Sequence, residues 1–237
     1  MNYEQILESF YSEIVVDGDL VIDIGAHSGR HSKPLAALVS PKGKVMAFEP
    51  NPVARSWLES NVWEEINANV VTVLPYAVSN ENCRATFTIA NERPEESGLA
   101  VRTYNGPTTT SEVEVDVIRL DSKFNDLAGA VTFIKLDVEG AEFEALKGAQ
   151  KILETYHPVV AFEFGASSYE AYDVQPADVF DYLEGLDYTP YSILGERLDR
   201  ASFVTASKVQ SFWDYIACPT KKIKVVEAAF KNIKDKN

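Results

Sequence analysis

Carboxylates and glycines that follow short apolar runs are the residues of this chain best placed to do chemistry. The apolar run 20–24 is followed by Gly-Ala-His-Ser-Gly over residues 25–29. Glycines at a strand-to-helix turn let the backbone approach a ligand closely, and the helix beyond them offers free N–H groups. Asp23 precedes Gly25 by two positions, which suits a ligand with a positive amino group better than a pyrophosphate. The pattern therefore predicts a small-molecule site at this turn.

A second carboxylate, Glu49, ends the next apolar run and is followed by Pro50. The spacing between Asp23 and Glu49 accommodates one helix and one strand, so both acids are expected at the same edge of a sheet. A carboxylate at that position can bind both hydroxyls of a ribose. In the alternative interpretation, Glu49 is only a neighbour of a helix N-cap, and Asp23 only satisfies loop amides.

The densest group of acids follows the apolar run 131–136 and consists of Asp137, Glu139 and Glu142. Acids are favoured at a helix N-terminus, so part of this pattern is structural. The group could also hold a substrate amine, bind a divalent metal ion or supply a base for a hydroxyl. Glu163 ends the next apolar run and is expected on the same rim, which makes Asp137 and Glu163 the predicted catalytic pair. In the alternative interpretation Glu163 is a loop acid that faces water.

These acids need a scaffold that brings several strand ends together. Near-continuous apolar runs without clean alternation are typical of strands buried on both faces, and helical segments lie between them. The fold class is therefore predicted to be α/β, with a Rossmann-like, doubly wound and mostly parallel sheet. Two late runs, 188–194 and 212–217, are predicted to form an antiparallel edge hairpin, because no clear helix-length pattern separates them. The earlier runs are 20–24, 44–49, 70–74, 131–136 and 158–163.

One stretch departs from this pattern. Residues 84–90 and 112–119 alternate between apolar and polar positions, which predicts two half-exposed strands of an inserted β-hairpin. The polar connector between them, 91–111, is long enough to predict a lid over a site. The segment 167–172 is predicted to frame an acceptor pocket together with this connector.

Composition excludes several classes of protein. The chain has 237 residues, a formal net charge of −14 and two cysteines, Cys83 and Cys218. Phosphate binding needs clustered Lys and Arg, so no nucleic-acid partner is expected, and two thiols do not make a disulfide scaffold or a zinc finger. No basic residue precedes Arg30 and no apolar run approaches a membrane span of about 20 residues, so no membrane partner is expected. We predict a soluble cytoplasmic protein, and the family resemblance described next implies a small-molecule or glycan acceptor.

Two sets of motifs resemble a known family. The residues 21–26 with Gly29, followed by Phe-Glu-Pro-Asn-Pro over 48–52, are similar to class I S-adenosylmethionine-dependent methyltransferases. The segment Ile-Lys-Leu-Asp-Val-Glu-Gly-Ala-Glu over 134–142, with Leu-Lys-Gly-Ala over 146–149, resembles the FkbM family within that class. The resemblance covers roughly residues 18–220.

The resemblance implies a seven-stranded sheet with an antiparallel last strand, an S-adenosylmethionine cofactor and methyl transfer to oxygen, often a hydroxyl on a sugar or secondary metabolite. It also implies one methyltransferase domain over 1–237, with a core at 18–220, the insert at 84–119 and a lysine-rich segment at 221–237. A divalent metal is conceivable but has no clear ligand set. The cofactor-binding residues on this interpretation are Asp23, Gly25, Ala26, His27, Gly29, Glu49, Pro50, Tyr76, Ala77, Val78 and Asp137.

The chain departs from the family pattern at three residues. His27 stands where the family commonly has Asn, and Arg30 and His31 stand where aromatic or aliphatic residues are common. A metal site at the two histidines is disfavoured by the positive end of the helix and by the missing third ligand. Both are therefore interpreted as surface histidines.

Two other functions compete with methyl transfer. A nicotinamide-dependent oxidoreductase would require the motif G-x-G-x-x-G, which the glycine turn lacks. A non-catalytic binding module on the same fold is disfavoured by the intact Asp23, Gly25, Glu49 and Asp137, although a pocket alone does not prove chemistry. If the methyltransferase interpretation holds, Asp137→Asn is expected to abolish turnover and leave the fold intact.

Overall fold

A computed structural model describes residues 2–124 and 130–236, except the side chains of Ser167 and Ser168. Its strands are β1 (Leu20–Ile24), β2 (Lys44–Phe48), β3 (Val71–Leu74), β4 (Tyr76–Val78), β5 (Cys83–Ala90), β6 (Thr110–Ile118), β7 (Val131–Leu136), β8 (Val159–Glu163), β9 (Tyr188–Ser192) and β10 (Asp214–Pro219). Its helices are α1 (Tyr3–Ile14), α2 (Ser32–Val39), α3 (Pro52–Asn61), α4 (Trp63–Asn67), α5 (Leu120–Lys123), α6 (Glu142–Gly148), α7 (Gln150–Tyr156), α8 (Ala166–Tyr169), α9 (Pro176–Gly185), α10 (Arg200–Val209) and α11 (Ile223–Lys236).

The main sheet has seven strands in the order β3-β2-β1-β7-β8-β10-β9. β1 lies parallel to both β2 and β7, and β7 lies parallel to β8, whereas β10 is antiparallel to both of its neighbours. The apolar runs are buried on both faces, as at Val21 and Ile22 in β1, which have no exposed surface. The predicted α/β class, with a mostly parallel sheet and an antiparallel last strand, is confirmed.

The predicted edge hairpin is correct in the pairing of its two strands and wrong in the way they are connected. β9 and β10 do pair antiparallel, but α10 lies between them in the chain. The side chain of Asp199 accepts a hydrogen bond from the backbone N–H of Ser202, and the Ser202 hydroxyl oxygen accepts one from the backbone N–H of Asp199. These two bonds form a capping box that fixes the start of α10. Sequence reasoning missed this helix because its buried face is small, with Phe203 as its one large apolar residue among those buried.

The inserted strands form a second, smaller sheet. β5 and β6 pair antiparallel as predicted, and β4 adds to β6 in the parallel direction, giving the order β4-β6-β5. Because β4 follows β3 directly, the insert stands beside the end of the main sheet. The connector 91–111 leaves this sheet and folds back on β5 through a bridge between Thr88 and Gly98.

The first and last helices of the described chain, α1 and α11, pack on each other. Phe10 of α1 stacks on Phe230 of α11, with ring centroids 4.7 Å apart. The carboxylate of Glu13 accepts hydrogen bonds from Asn232 and Lys236. This packing holds α1 against the sheet edge at which the predicted site lies. Within residues 2–124 and 130–236, none of the helices combines the length and apolar character that crossing a bilayer requires.

Candidate active site

The glycine turn after β1 is held against the two neighbouring strand ends. The backbone N–H groups of Gly25 and Ala26 both donate to the carbonyl oxygen of Phe48, each at 3.0 Å. The N–H of Asp137 donates to the carbonyl oxygen of Ile24, also at 3.0 Å. Gly25 has φ +75°, and a Cβ there would collide with the carbonyl oxygen of Asp137. Only glycine fits this close approach of two loops.

A cavity of about 480 Å³ opens at this edge of the sheet. Its walls come from the glycine turn, the ends of β2, β7 and β8, the strand β4 and the connector 91–111. Glu4, Arg30 and His31 close one end of it. The predicted site residues in its lining are Gly25, Ala26, His27, Glu49, Pro50, Tyr76, Ala77, Val78, Asp137 and Glu163.

Two predicted site residues, Asp23 and Gly29, do not line this cavity. Asp23 is fully buried beneath the turn, where it accepts a hydrogen bond of 2.6 Å from the Ser32 hydroxyl. Its other oxygen, Oδ1, has no hydrogen-bond partner within the described part of the chain. Gly29 has φ +85° and packs against Leu58 of α3. Both residues support the turn from the side opposite the cavity.

Glu49 is oriented by the backbone of its own loop and of the glycine turn. Its Oε2 accepts from the N–H of His27 and its Oε1 accepts from the N–H of Asn51, each at 2.8 Å. Burial raises the pKa of Glu49 to about 7, although the two N–H groups favour the charged form. Each oxygen keeps a lone pair for a further hydrogen bond, so the carboxylate is aligned to bind two hydroxyls from the cavity.

Lys135 is a component of the site that sequence reasoning missed. Its ammonium lies 2.9 Å from Asp137 Oδ2, and its side chain is 7% exposed. Burial lowers the pKa of Lys135, but the nearby carboxylates of Asp137 and Asp23 more than offset this, so the net pKa is raised. Lys135 therefore stays charged and keeps Asp137 in place. The sequence feature that could have identified this residue is a lysine inside the apolar run 131–136.

Asp214 is the second missed component. It stands directly opposite Glu163 in the antiparallel pairing of β10 with β8, so both side chains lie on one face of the sheet. Burial raises the pKa of Glu163 well above its ordinary value, and the carboxylates of Asp137 and Asp214 raise it further. Burial and Asp137 likewise raise the pKa of Asp214 to about 7. Glu163 is thus a half-buried member of a carboxyl pair rather than a loop acid in water.

The raised pKa of Asp214 makes stability depend on pH. The folded protein holds this proton more tightly than the unfolded chain, whose carboxyl titrates near 3.8. Its stabilising effect is therefore complete below pH about 4 and is lost as the pH rises through about 7. We expect the stability of Asp214→Asn relative to the wild type to rise by about 2–3 kcal/mol between pH 5 and pH 8, because the wild type loses stability over this range.

Urea unfolding at both pH values measures this difference. Asp235→Asn, on the exposed side of α11, is the matched control and should change little at either pH. A pH-independent effect of Asp214→Asn would contradict the assignment.

The predicted group of three acids separates into three roles. Asp137 faces the cavity with Lys135, as described. Glu142 is buried and turns into its own loop, where Oε1 accepts from the N–H groups of Val138 and Gly140 at 2.9 and 3.1 Å. Burial raises the pKa of Glu142 to about 7. The group therefore does not form one metal-binding cluster.

Glu139 pairs with Arg102 of the connector, and both side chains are largely buried. This ion pair fastens the connector to the loop after β7, across one wall of the cavity. Pro94, Glu95 and Leu99 of the connector line the cavity. Of the predicted acceptor segment 167–172, the side chains of residues 167 and 168 lie outside the described residues.

The interpretation of both histidines as surface residues is wrong. His31 is 4% exposed, and its ring lies between the Tyr11 hydroxyl and the Glu4 carboxylate, at 3.2 and 2.6 Å. His27 packs its ring edge-on against Trp57, and its Nε2 is buried without a hydrogen-bond partner in the described chain. The error arose because α1 covers the turn, a long-range contact that local sequence does not indicate.

Within the described ranges, no group of three or more His, Cys, Asp and Glu side chains could hold a metal ion. Three of the site's carboxylates, Asp137, Glu139 and Glu49, are instead engaged by Lys135, by Arg102 and by backbone N–H groups, respectively.

The strand order and the glycine turn match the Rossmann-like fold of the methyltransferases compared below. The particular family is shown by a match to the methyltransferase FkbM domain over residues 23–190, and the chain belongs to that family. The resemblance expected from the motifs is therefore confirmed.

Two curated relatives share part of the sequence. The hexuronic acid methyltransferase AglP of Haloferax volcanii is 28% identical over 160 residues, which are 66% of this chain and 61% of the relative. Methyltransferase 1 of Beauveria bassiana is 27% identical over 148 residues, which are 56% of this chain and 59% of the relative. The chain thus spans about three fifths of the length of these relatives.

Two solved structures share the fold. An FkbM methyltransferase from Methylobacillus flagellatus superposes with a TM-score of 0.53 at 20% identity, over 87% of this chain and 47% of that one. A methyltransferase from Streptococcus mutans, solved with S-adenosylhomocysteine, superposes with a TM-score of 0.50 at 12% identity, over 92% and 98% of the two chains.

Proposed function

We propose that this chain transfers a methyl group from S-adenosylmethionine to a hydroxyl oxygen of a small molecule or sugar. The observation that carries the proposal is a single cavity lined by the glycine turn, by Glu49 and by the acids Asp137 and Glu163. One end of this cavity suits a nucleoside, and the other end suits the removal of a proton.

The cavity residues fit the cofactor. The turn at Gly25 lets backbone approach the ligand, and a side chain at this position would close that space. The free lone pairs of Glu49 suit ribose hydroxyls, and Tyr76, Ala77 and Val78 form the wall expected to meet the adenine. The buried, unpartnered Nε2 of His27 is a further polar atom available to a ligand in the cavity. When bound, the cofactor supplies an electrophilic methyl group.

The acids favour a hydroxyl acceptor. A hydroxyl must lose its proton at or after methyl transfer, whereas a carboxylate acceptor needs no base. Asp137 is fixed by Lys135 and is available as a hydrogen-bond acceptor toward the cavity. Glu163 has a raised pKa, which makes its ionised form a stronger base. We assign orientation of the hydroxyl to Asp137 and acceptance of the proton to Glu163. The sugar class is supported by the relative from Haloferax volcanii, which is named for a hexuronic acid.

The competing functions make different predictions. A non-catalytic module would bind cofactor without transferring a methyl group, and an oxidoreductase would bind a nicotinamide. The cytoplasmic location and the absence of nucleic-acid and membrane partners stay predictions from the sequence.

Titration calorimetry with S-adenosylmethionine and S-adenosylhomocysteine tests the proposed cofactor, with NADH as the negative control. We expect saturable binding of both sulfur ligands and none of NADH. Glu49→Gln should weaken both by about ten- to a hundredfold, because a hydrogen bond to a charged group is lost.

The matched control is Glu59→Gln on the exposed side of α3, which should bind like the wild type. Thermal unfolding of each variant separates lost binding from lost fold. Tight NADH binding, or equal affinities of Glu49→Gln and wild type, would contradict the assignment. Methyl transfer from labelled cofactor to a panel of hydroxylated acceptors then separates an enzyme from a binding module.

A further inference from the structure

Most charged side chains around the cavity are paired with one another, and these pairings limit the charge that an acceptor can carry. Among the described lining residues, six are acidic and two, Arg30 and Lys135, carry a permanent positive charge. Arg30 donates to Glu8 at 2.7 Å, and Lys135 donates to Asp137 at 2.9 Å. Arg30 also follows the glycine turn directly. Neither cation is left over for an anionic acceptor.

The carboxylates are also accounted for. Glu139 pairs with Arg102, and Glu4 hydrogen-bonds to His31 at 2.6 Å. Burial and the carboxylates of Asp137 and Asp214 raise the pKa of Glu163, which reduces the negative charge that it contributes to the cavity. The acceptor end therefore does not call for a cationic ligand to balance its charge. Its oxygen-rich walls can accept hydrogen bonds from hydroxyl groups.

Glu95 is the exception among these acids. It is exposed, lies on the connector 91–111 and lines the cavity, and no hydrogen bond or ion pair engages its carboxylate within the described residues. Pro94 and Ser97 beside it also line the cavity, so the connector places Glu95 at the cavity wall. A carboxylate at the cavity mouth repels an anion that enters.

From these contacts, and resting on the proposed methyl transfer, we propose that the acceptor is an uncharged polyhydroxylated compound of the neutral-sugar class. Glu95 is the residue that discriminates against carboxylate-bearing sugars. The acceptor of this chain then differs in charge from the hexuronic acid for which the Haloferax volcanii relative is named.

The test compares two matched sugars on protein saturated with S-adenosylhomocysteine. Methyl glucoside and methyl glucuronide differ by one carboxylate, and saturation-transfer NMR detects weak binding of each. The measurement belongs at low ionic strength, because an exposed carboxylate is screened beyond about 10 Å at 0.1 M salt. We expect a glucoside signal and a glucuronide signal about tenfold weaker.

Two charge reversals assign the effect to Glu95. Glu95→Lys should raise the ratio of the glucuronide signal to the glucoside signal severalfold. Glu59→Lys makes the same change of charge on the exposed side of α3 and should alter neither signal. Methyl transfer from labelled S-adenosylmethionine to both sugars gives the same comparison as a rate.

The outcomes distinguish the proposal of a neutral acceptor from the proposed methyl transfer on which it rests. A glucuronide signal equal to or above that of the glucoside overturns the neutral acceptor. The absence of a saturation-transfer signal from both sugars, in protein that binds S-adenosylhomocysteine, also overturns the neutral acceptor. It leaves the methyltransferase assignment unchanged. Failure to bind S-adenosylhomocysteine overturns both. An unchanged glucuronide signal in Glu95→Lys removes Glu95 as the discriminating residue.

Discussion

Gly25→Ala is expected to abolish binding of S-adenosylmethionine and to destabilise the fold by about 3 kcal/mol. The added Cβ would collide with the carbonyl oxygen of Asp137, and φ +75° is a conformation that L-residues with a side chain rarely adopt. Relief of the collision must separate the loops after β1 and β7, which are joined by the hydrogen bond from Asp137 N–H to Ile24. Calorimetry with the cofactor and urea unfolding measure the two effects.

Gly185→Ala is the matched control for this variant. Gly185 ends α9 without a positive φ, and a Cβ there would meet no atom within 4 Å. Helix propensity favours alanine over glycine by roughly 0.5–1 kcal/mol, so this control should bind cofactor normally and be slightly more stable. Normal cofactor affinity in Gly25→Ala would show that the turn does not carry the cofactor.

Residues that follow a strand in the same local motif could be predicted from the sequence. Gly25, Glu49, Asp137 and Glu163 each end an apolar run, and parallel strands bring such ends to one edge of the sheet. The seven strands and the antiparallel last strand followed from the resemblance to a known family. Local patterns were therefore sufficient to predict these four residues of the cavity lining.

Contacts between distant parts of the chain could not be predicted in this way. Asp214 meets Glu163 only because β10 inserts antiparallel beside β8. His31 is buried only because α1 folds over the turn, and Arg102 reaches Glu139 from the far end of a long connector. Residue types and spacing do not encode these pairs, since each partner is ordinary in its local context. These long-range contacts also set the charges of the cavity.

The pairing of Asp137 with Lys135 changes the outcome expected for Asp137→Asn. Sequence alone predicts loss of turnover in an intact fold. The structure adds a buried ammonium that this variant leaves without its 2.9 Å partner, with the carboxylates of Asp23 and Glu4 nearby in partial compensation. Removing one member of a buried ion pair is costly, and because Asp137 is 30% exposed we expect a loss of about 2 kcal/mol.

The double variant Lys135→Met/Asp137→Asn separates the structural role of Asp137 from its chemical role. It removes both charges, so most of the lost stability should return. Methyl transfer to the neutral acceptor should stay about 10²–10⁴-fold below wild type, the range expected when a group that handles the acceptor proton is lost. Lys147→Met/Glu144→Gln removes a half-exposed pair of 2.6 Å in α6 and should cost less than about 0.5 kcal/mol with normal transfer. Recovery of transfer together with stability would show that Asp137 acts only as the partner of Lys135 and does not orient the acceptor hydroxyl.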